Sequence, residues 1–220
     1  MTQGQIIPDF IMSAYNIEKF AVIGAGNMGS GIAQKIATEG FPVVLVDLDD
    51  EKVERGINII KDMLNQGVKR KVFSPKQVET IMGNIRGSSD WSKLSDVDIA
   101  IEAVFEDMDV KKSVFEKLSK SCKETAILAT NTSSFLVKDL VESVSHPERL
   151  VGLHYFFHPA KNRLVEVIGH EGTSQEAYKA TWASQEAIGK TPIYSADAPG
   201  FVVNRILMPN SINRIIFNII

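Results

Sequence analysis

Most of what this chain is short of excludes something. A single cysteine, Cys122, leaves no internal disulfide to form; it fits a reducing compartment and is read as inert packing. The 24 basic and 27 acidic residues nearly cancel, giving a net charge of -3, so nucleic acid is not an expected partner. No apolar run approaches the ~20 residues that span a bilayer, and no membrane partner is expected. The opening MTQGQIIPDFIMSAYN holds neither a basic residue nor a long apolar core, so no secretory or mitochondrial leader is read there. A cytoplasmic protein is expected, with residues 1–16 as an extension outside the main fold. What remains is ordinary: 44% hydrophobic and 23% charged over 220 residues, enough for one well-buried α/β domain and short for two.

Short apolar runs alternate with helical spacing along the chain. KFAVI (19–23), PVVLVD (42–47), DIAIEAV (98–104), AILAT (126–130), RLVGLHYF (149–156), RLVEVI (163–168) and PIYS (192–195) read as strands. Helices are expected over 28–39, stopped by Gly40, over 50–66, and from the Ser74-Pro75 cap to Met82. Further helices fall near 109–119, 137–143 and 174–188. This alternation predicts a Rossmann-type, mostly parallel sheet with helices on both faces. The domain is expected over residues 17–198. DAPG (197–200) reads as a junction, and residues 199–220 as the first helix of an incomplete all-helical second domain, its apolar INRIIFNII end suited to an interface between copies.

VIGAGNMGSGIA sets Gly24, Gly26 and Gly29 in a G-x-G-x-x-G pattern between the first strand and first helix. Gly24 permits a tight turn, Gly26 lets backbone approach a pyrophosphate, and Gly29 lets helix pack on strand. Ala25, Asn27 and Met28 complete that loop. Asp47 ends the second strand about twenty residues on, where an acid accepts from ribose hydroxyls and repels a 2′-phosphate. The acids Asp49, Asp50 and Glu51 follow with no arginine beside them. NAD is therefore expected over NADP. A plain strand–helix turn is the bland alternative for the glycines alone.

Two ionisable residues sit in segments built for burial, His154 in the strand of HYFF and Glu166 in the strand of LVEVI. Removing hydride from an alcohol needs a base for the hydroxyl proton, and neutral imidazole suits that task. A carboxylate on its other nitrogen fixes the tautomer and steadies the imidazolium. The spacing allows the two to meet across a loop turning at Pro159; a satisfied strand histidine and a surface glutamate are the alternative. Ser133, in ATNTSSF, leaves a strand at its carboxyl end and is read as a donor to a substrate oxygen or as a helix cap. Asn204 is read as contacting a substrate carbonyl or as bonding between helices. No metal is expected.

Taken together, GAGNMGSGIAQ, VVLVD, IEAVFED, NTSS, GLHYF, LVEVI and DAPGFVVNRIL resemble the L-3-hydroxyacyl-CoA dehydrogenases of fatty-acid β-oxidation. The resemblance implies His154 as general base, Glu166 as its orienting acid, and Ser133 and Asn204 on the substrate oxygen. It implies Glu106 and Lys111, in FEDMDVK, near the nicotinamide and its ribose. It also implies a helical domain that completes the cleft and forms a dimer, and Lys69-Arg70-Lys71 as partners for CoA phosphates, a solvated loop being the alternative. HYFFHP departs from the family pattern: Phe157 and His158 displace an asparagine that contacts cofactor, and His158 reads as a loop variant rather than a second base. His146 and His170 read as surface residues. Three readings stay open beside this one: a dehydrogenase of a related hydroxy acid, a unit of a multifunctional hydratase/dehydrogenase chain, and a non-catalytic dinucleotide binder.

Overall fold

The computed structural model describes residues 17–207. The expected extension over 1–16, and the apolar end of the last helix, lie outside the described residues.

Four strands of four residues form the middle of the sheet: β1 (Phe20–Ile23), β2 (Val43–Val46), β4 (Ile99–Glu102) and β5 (Ile127–Thr130), every residue of each buried. Burial on both faces is why they read as unbroken apolar runs. A short strand, β3 (Ile85–Ser88), extends one edge beyond β2. Beyond β5 come β6 (Leu150–Tyr155), β7 (Leu164–Gly169) and β8 (Thr191–Ala196). The order is β3-β2-β1-β4-β5-β6-β7-β8; all neighbours are parallel except β6 and β7, which pair antiparallel. β3 is the strand that sequence periodicity does not show. IRGS is half exposed, and Gly87 lets the helix carrying Val53 lie on it, since a Cβ there would stand 2.6 Å from Val53.

Five α-helices cover the sheet: α1 (Asn27–Thr38), α2 (Asp50–Lys69), α3 (Pro75–Gly83), α4 (Met108–Ser121) and α5 (Gln175–Ala187). Their starts are chemically marked. Asp49, Asp107 and Ser174 cap α2, α4 and α5, and Ser74 with Gln77 closes a capping box on α3 behind Pro75. The helix expected over 137–143 is a 3-10 helix, Val137–Ser143. Its first amides are satisfied from across the chain: Asp197 accepts from Val137 N at 2.8 Å and Lys138 N at 2.9 Å.

Side chains alternate between sheet faces, and the two faces carry separate cores. On one, Val22, Leu45, Ile101 and Val167 meet Ile32, Ile36, Ile60 and Leu64. On the other, Ile23, Val46 and Ile168 meet Phe115, Leu118, Leu140 and Phe201. Cys122 sits at the margin of the second core, its thiol pushed up to about 12 by burial, as an inert packing residue should be.

Candidate active site

At the carboxyl ends of β4, β5 and β6, where the amino end of the antiparallel β7 lies beside them, the second face turns polar. Glu102 on β4 lies beside Thr130 on β5, and His154 on β6 is directly opposite Glu166 on β7. Parity puts all four on the side of Ile168, Leu128 and Phe201 rather than in the first core. These ionisable groups occupy burial-built strands because the apolar layer over this face is replaced there by partners that satisfy them.

The antiparallel register makes His154 and Glu166 a cross-strand pair. His154 Nδ1 is 2.6 Å from Glu166 Oε2, both residues being almost wholly buried. Glu166 Oε1 accepts from the amides of Val202 at 2.8 Å and Val203 at 2.9 Å. With Oε1 taken by two backbone donors, Oε2 is the acceptor facing the ring, so the hydrogen-bond network assigns the proton to Nδ1 and makes Nε2 the acceptor nitrogen. Ser133 Oγ stands 3.1 Å from Nε2. The ring lies between Phe156 and Phe201, with centroids at 4.5 and 5.6 Å.

Ser133 is not the helix cap of its segment. Thr132 Oγ1 accepts from Ser134 N and Phe135 N instead, and Ser133 Oγ is left to face the imidazole. Asn204, half-buried, donates to the Ser133 carbonyl at 3.3 Å and so holds the serine loop. Asn131 escaped the sequence reading although NTSS contains it. Its side chain accepts from Tyr155 N at 3.1 Å and its carbonyl lies 3.4 Å from Lys111 Nζ. Only the sheet order, which sets β5 next to β6, makes that role visible.

The glycine loop meets this group at the point where strand order reverses, between β1 and β4, the usual ligand crevice of such sheets. Gly24 has a φ of +103°, and a Cβ there would stand 2.5 Å from the Ala103 carbonyl. At Gly29 it would be 1.7 Å from the Gly24 carbonyl, whereas at Gly26 nothing lies within 4 Å. The cradle is thus closed below and open above, and no side chain caps α1 at Gly26. Its first amides are available to an anion. Asp47 accepts from Ala25 N and Leu48 N, each at 2.7 Å, which fixes a half-exposed carboxylate against the loop. This donor and acceptor set fits a dinucleotide with a free ribose 2′-hydroxyl. Gly56, unremarked in the sequence, completes the seat: a Cβ there would reach Ala25 at 2.6 Å.

Glu106 and Lys111, the pair expected beside the nicotinamide and its ribose, differ in kind. Lys111 is fully buried, its ammonium 2.8 and 3.0 Å from Glu102 and 3.1 Å from Glu106. It presents nothing to the cleft and instead anchors the β4–α4 loop. Glu106 remains part-exposed. Burial alone would raise its carboxyl, but the Thr132 hydroxyl, Lys111 and the Ser133 amide hold it below the ordinary value. For Glu102, burial pushes the carboxyl up against its donors Lys111, Thr130 and Val104.

A cleft of about 430 Å³ joins the parts, lined by Met28, Val104, Glu106, Ser133, His154 and Asn204 among others. A second hollow of similar volume, about 450 Å³, opens at the amino ends of the strands around Lys19, Asn84 and Arg86 and holds none of these groups. Lys69 and Arg70, at the exposed end of α2, line neither. His158 packs on Met63, and its imidazole is pulled down by burial and by Lys161 and Lys190. His146 and His170 are half-buried, against Glu148 and the Pro147 carbonyl respectively. Among the described residues no cluster suits a metal, and no helix is long and apolar enough to cross a membrane.

Residues 19–198 match the family described as 3-hydroxyacyl-CoA dehydrogenase, NAD binding domain. The chain is 38% identical over 197 residues to the fatty acid oxidation complex subunit alpha of Psychrobacter sp. (strain PRwf-1), covering 90% of this chain and 27% of that protein. It thus spans about a quarter of the length of the curated relatives it matches. The crystal structure of (S)-3-hydroxybutyryl-CoA dehydrogenase from Ralstonia eutropha aligns with a TM-score of 0.85 at 35% identity, over 88% of this chain and 69% of that one. For 3-hydroxybutyryl-CoA dehydrogenase from Escherichia coli K12 the TM-score is 0.83 at 35% identity, over 87% of this chain and 40% of that one. With its glycine loop, the acid Asp47 fixed against that loop and a mostly parallel sheet, this chain belongs to the 3-hydroxyacyl-CoA dehydrogenase family and carries the family's NAD-binding domain.

Proposed function

We propose that the protein oxidises an L-3-hydroxyacyl-CoA to the 3-oxoacyl-CoA with NAD, in fatty-acid oxidation. The observation that carries this reading is the His154–Glu166 pair at 2.6 Å with Nε2 turned to the cleft that also reaches the glycine loop. Bound in that cradle, NAD supplies the acceptor for the hydride that leaves C3. His154 Nε2 takes the proton of the C3 hydroxyl as that hydride departs. Glu166, bonded to Nδ1, stabilises the imidazolium so formed. Ser133 Oγ lies within reach of the same oxygen and donates to it; Asn204 keeps the serine loop in place and lines the cleft beside it. Gly24 to Gly29 and Asp47 seat the pyrophosphate and the adenine ribose.

Three parts of the reading reach beyond the cleft itself. Residues 17–198 act as the nucleotide domain, and the chain from 199 opens a helical domain that closes the cleft and pairs two copies. Lys69 and Arg70 meet CoA phosphates. The relatives named as subunits of a fatty acid oxidation complex favour a second version, in which the same unit works within a larger assembly. The test is reduction of acetoacetyl-CoA by NADH, followed at the NADH absorbance, with acetoacetate alone in parallel. Turnover of the thioester and not of the free acid is expected; turnover of neither ends this reading.

A further inference from the structure

The carboxylate of Glu166 has two oxygens and two separate occupations. Oε2 holds the imidazole, while Oε1 is held by the amides of Val202 and Val203. Those amides belong to the chain that leaves the sheet after β8, thirty-six and thirty-seven residues from Glu166. Side chains of that segment touch the base as well, because Phe201 is 97% buried in the second core and its ring faces His154.

The turn that delivers these groups is itself tightly specified. Gly200 has a φ of +79° and Phe201 one of +48°, and an aromatic residue in the left-handed region persists only when its surroundings over-determine it. The surroundings here are identifiable. Asp197 pins the start of the turn to Val137 N and Lys138 N, just after the serine loop. Phe201 N bonds back to Ala198 O at 2.9 Å, and Asn204 clips the far side to Ser133 O. Residues 197–204 therefore bridge Ser133, Glu166 and His154, the three groups of the proposed base.

We infer that this turn is a positioning element of the reaction: the Val202 and Val203 amides, set by Asp197 and Phe201, hold the Glu166 carboxylate with Oε2 aimed at Nδ1. An anchored Oε1 leaves Oε2 no rotation away from the ring, so the carboxylate stays the acceptor of Nδ1–H. The segment that leads out of the nucleotide domain thereby decides whether the imidazole is presented as a base. This inference rests on the function proposed above for His154, but its physical content is a hydrogen bond, readable without turnover.

Val203→Pro removes one donor at the first position of the following helix, where proline is well tolerated; Val203→Ala removes the same side chain and keeps the amide. In the intact protein with 15N-labelled histidine, the low-field proton signal of His154 Nδ1–H, assigned by its loss in His154→Gln, is the readout. Val203→Pro is expected to move that signal upfield and broaden it, and to lower kcat by about 10- to 100-fold with KM for NAD little changed. Val203→Ala is expected to restore both. If Val203→Pro does not fold, Asp197→Asn loosens the same turn from its other end and is expected to displace the signal in the same direction. An unmoved signal in a folded variant overturns the inference whatever the activity. A signal that moves in a protein inactive on every hydroxyacyl-CoA keeps the inference and removes the proposed function instead.

Discussion

Two carboxylate–cation groups lie on one face of the sheet, and they are built differently. Under the glycine loop, Glu102 and Lys111 form a pair with no exposed side-chain surface, and the Lys111 ammonium is shared among Glu102, Glu106 and the Asn131 carbonyl. Beside the cleft, Glu166 is equally buried, but its partner is an imidazole with one nitrogen left facing the cavity. The first cation has each donor direction taken and fixes a loop. The second is charged only when a proton arrives. Burial and pairing are common to both, so neither marks chemistry by itself. The free acceptor does.

Breaking the acid of the second group separates them most sharply. In Glu166→Gln the Val202 and Val203 amides retain the side-chain oxygen, so the NH2 is turned to Nδ1 and the imidazole is driven to the wrong tautomer. Turnover is expected to fall by about 10²- to 10⁴-fold with little change in melting temperature. Lys111→Met should behave the other way. It strands the Glu102 carboxyl in the interior at a cost of about 3–5 kcal/mol, visible as a lower denaturation midpoint, with NAD affinity and turnover reduced only through that loss.

Smaller effects sharpen the contrast. Gly26→Ala adds a methyl where nothing lies within 4 Å, so the fold should be untouched while the phosphate seat fills. About a tenfold rise in the NAD Kd, with unchanged melting, is expected by calorimetry. A different kind of readout belongs to a third buried cation, Lys190, which has the carbonyls of Pro159 and Asn162 but no carboxylate among the described residues. Burial, aided by Lys35, pulls its ammonium down to about 8 from 10.5. The folded protein sheds this proton before the unfolded chain does, so this group makes stability rise between about pH 8 and 10.5 and contributes no slope below. Urea midpoints across that window should show the rise in the wild type and lack it in Lys190→Met.

Much of this was legible in the sequence. Short apolar runs and capped helices declared the mostly parallel sheet, since burial on both faces leaves few polar residues to confuse the pattern. Gly24 and Gly29 were readable because a tight turn and a close helix–strand approach leave few alternatives to glycine. β3 was not, being a half-exposed edge whose pairing depends on β2 rather than on its own composition. His154 and Glu166 stood out as misfits, but their meeting depended on an antiparallel register that no local signal encodes. Lys111 shows the opposite limit. Its place in FEDMDVK suggested cofactor contact, whereas the distance from Glu102 makes it a strut. Asn131 and Asp197 act across the fold, and their partners lie 24 and 60 residues away.

The most direct test replaces the base alone. In His154→Gln, NAD affinity measured by calorimetry should equal that of the wild type, while the rate of acetoacetyl-CoA reduction by NADH falls by about 10²- to 10⁴-fold. Comparable rates in the two proteins would contradict the account.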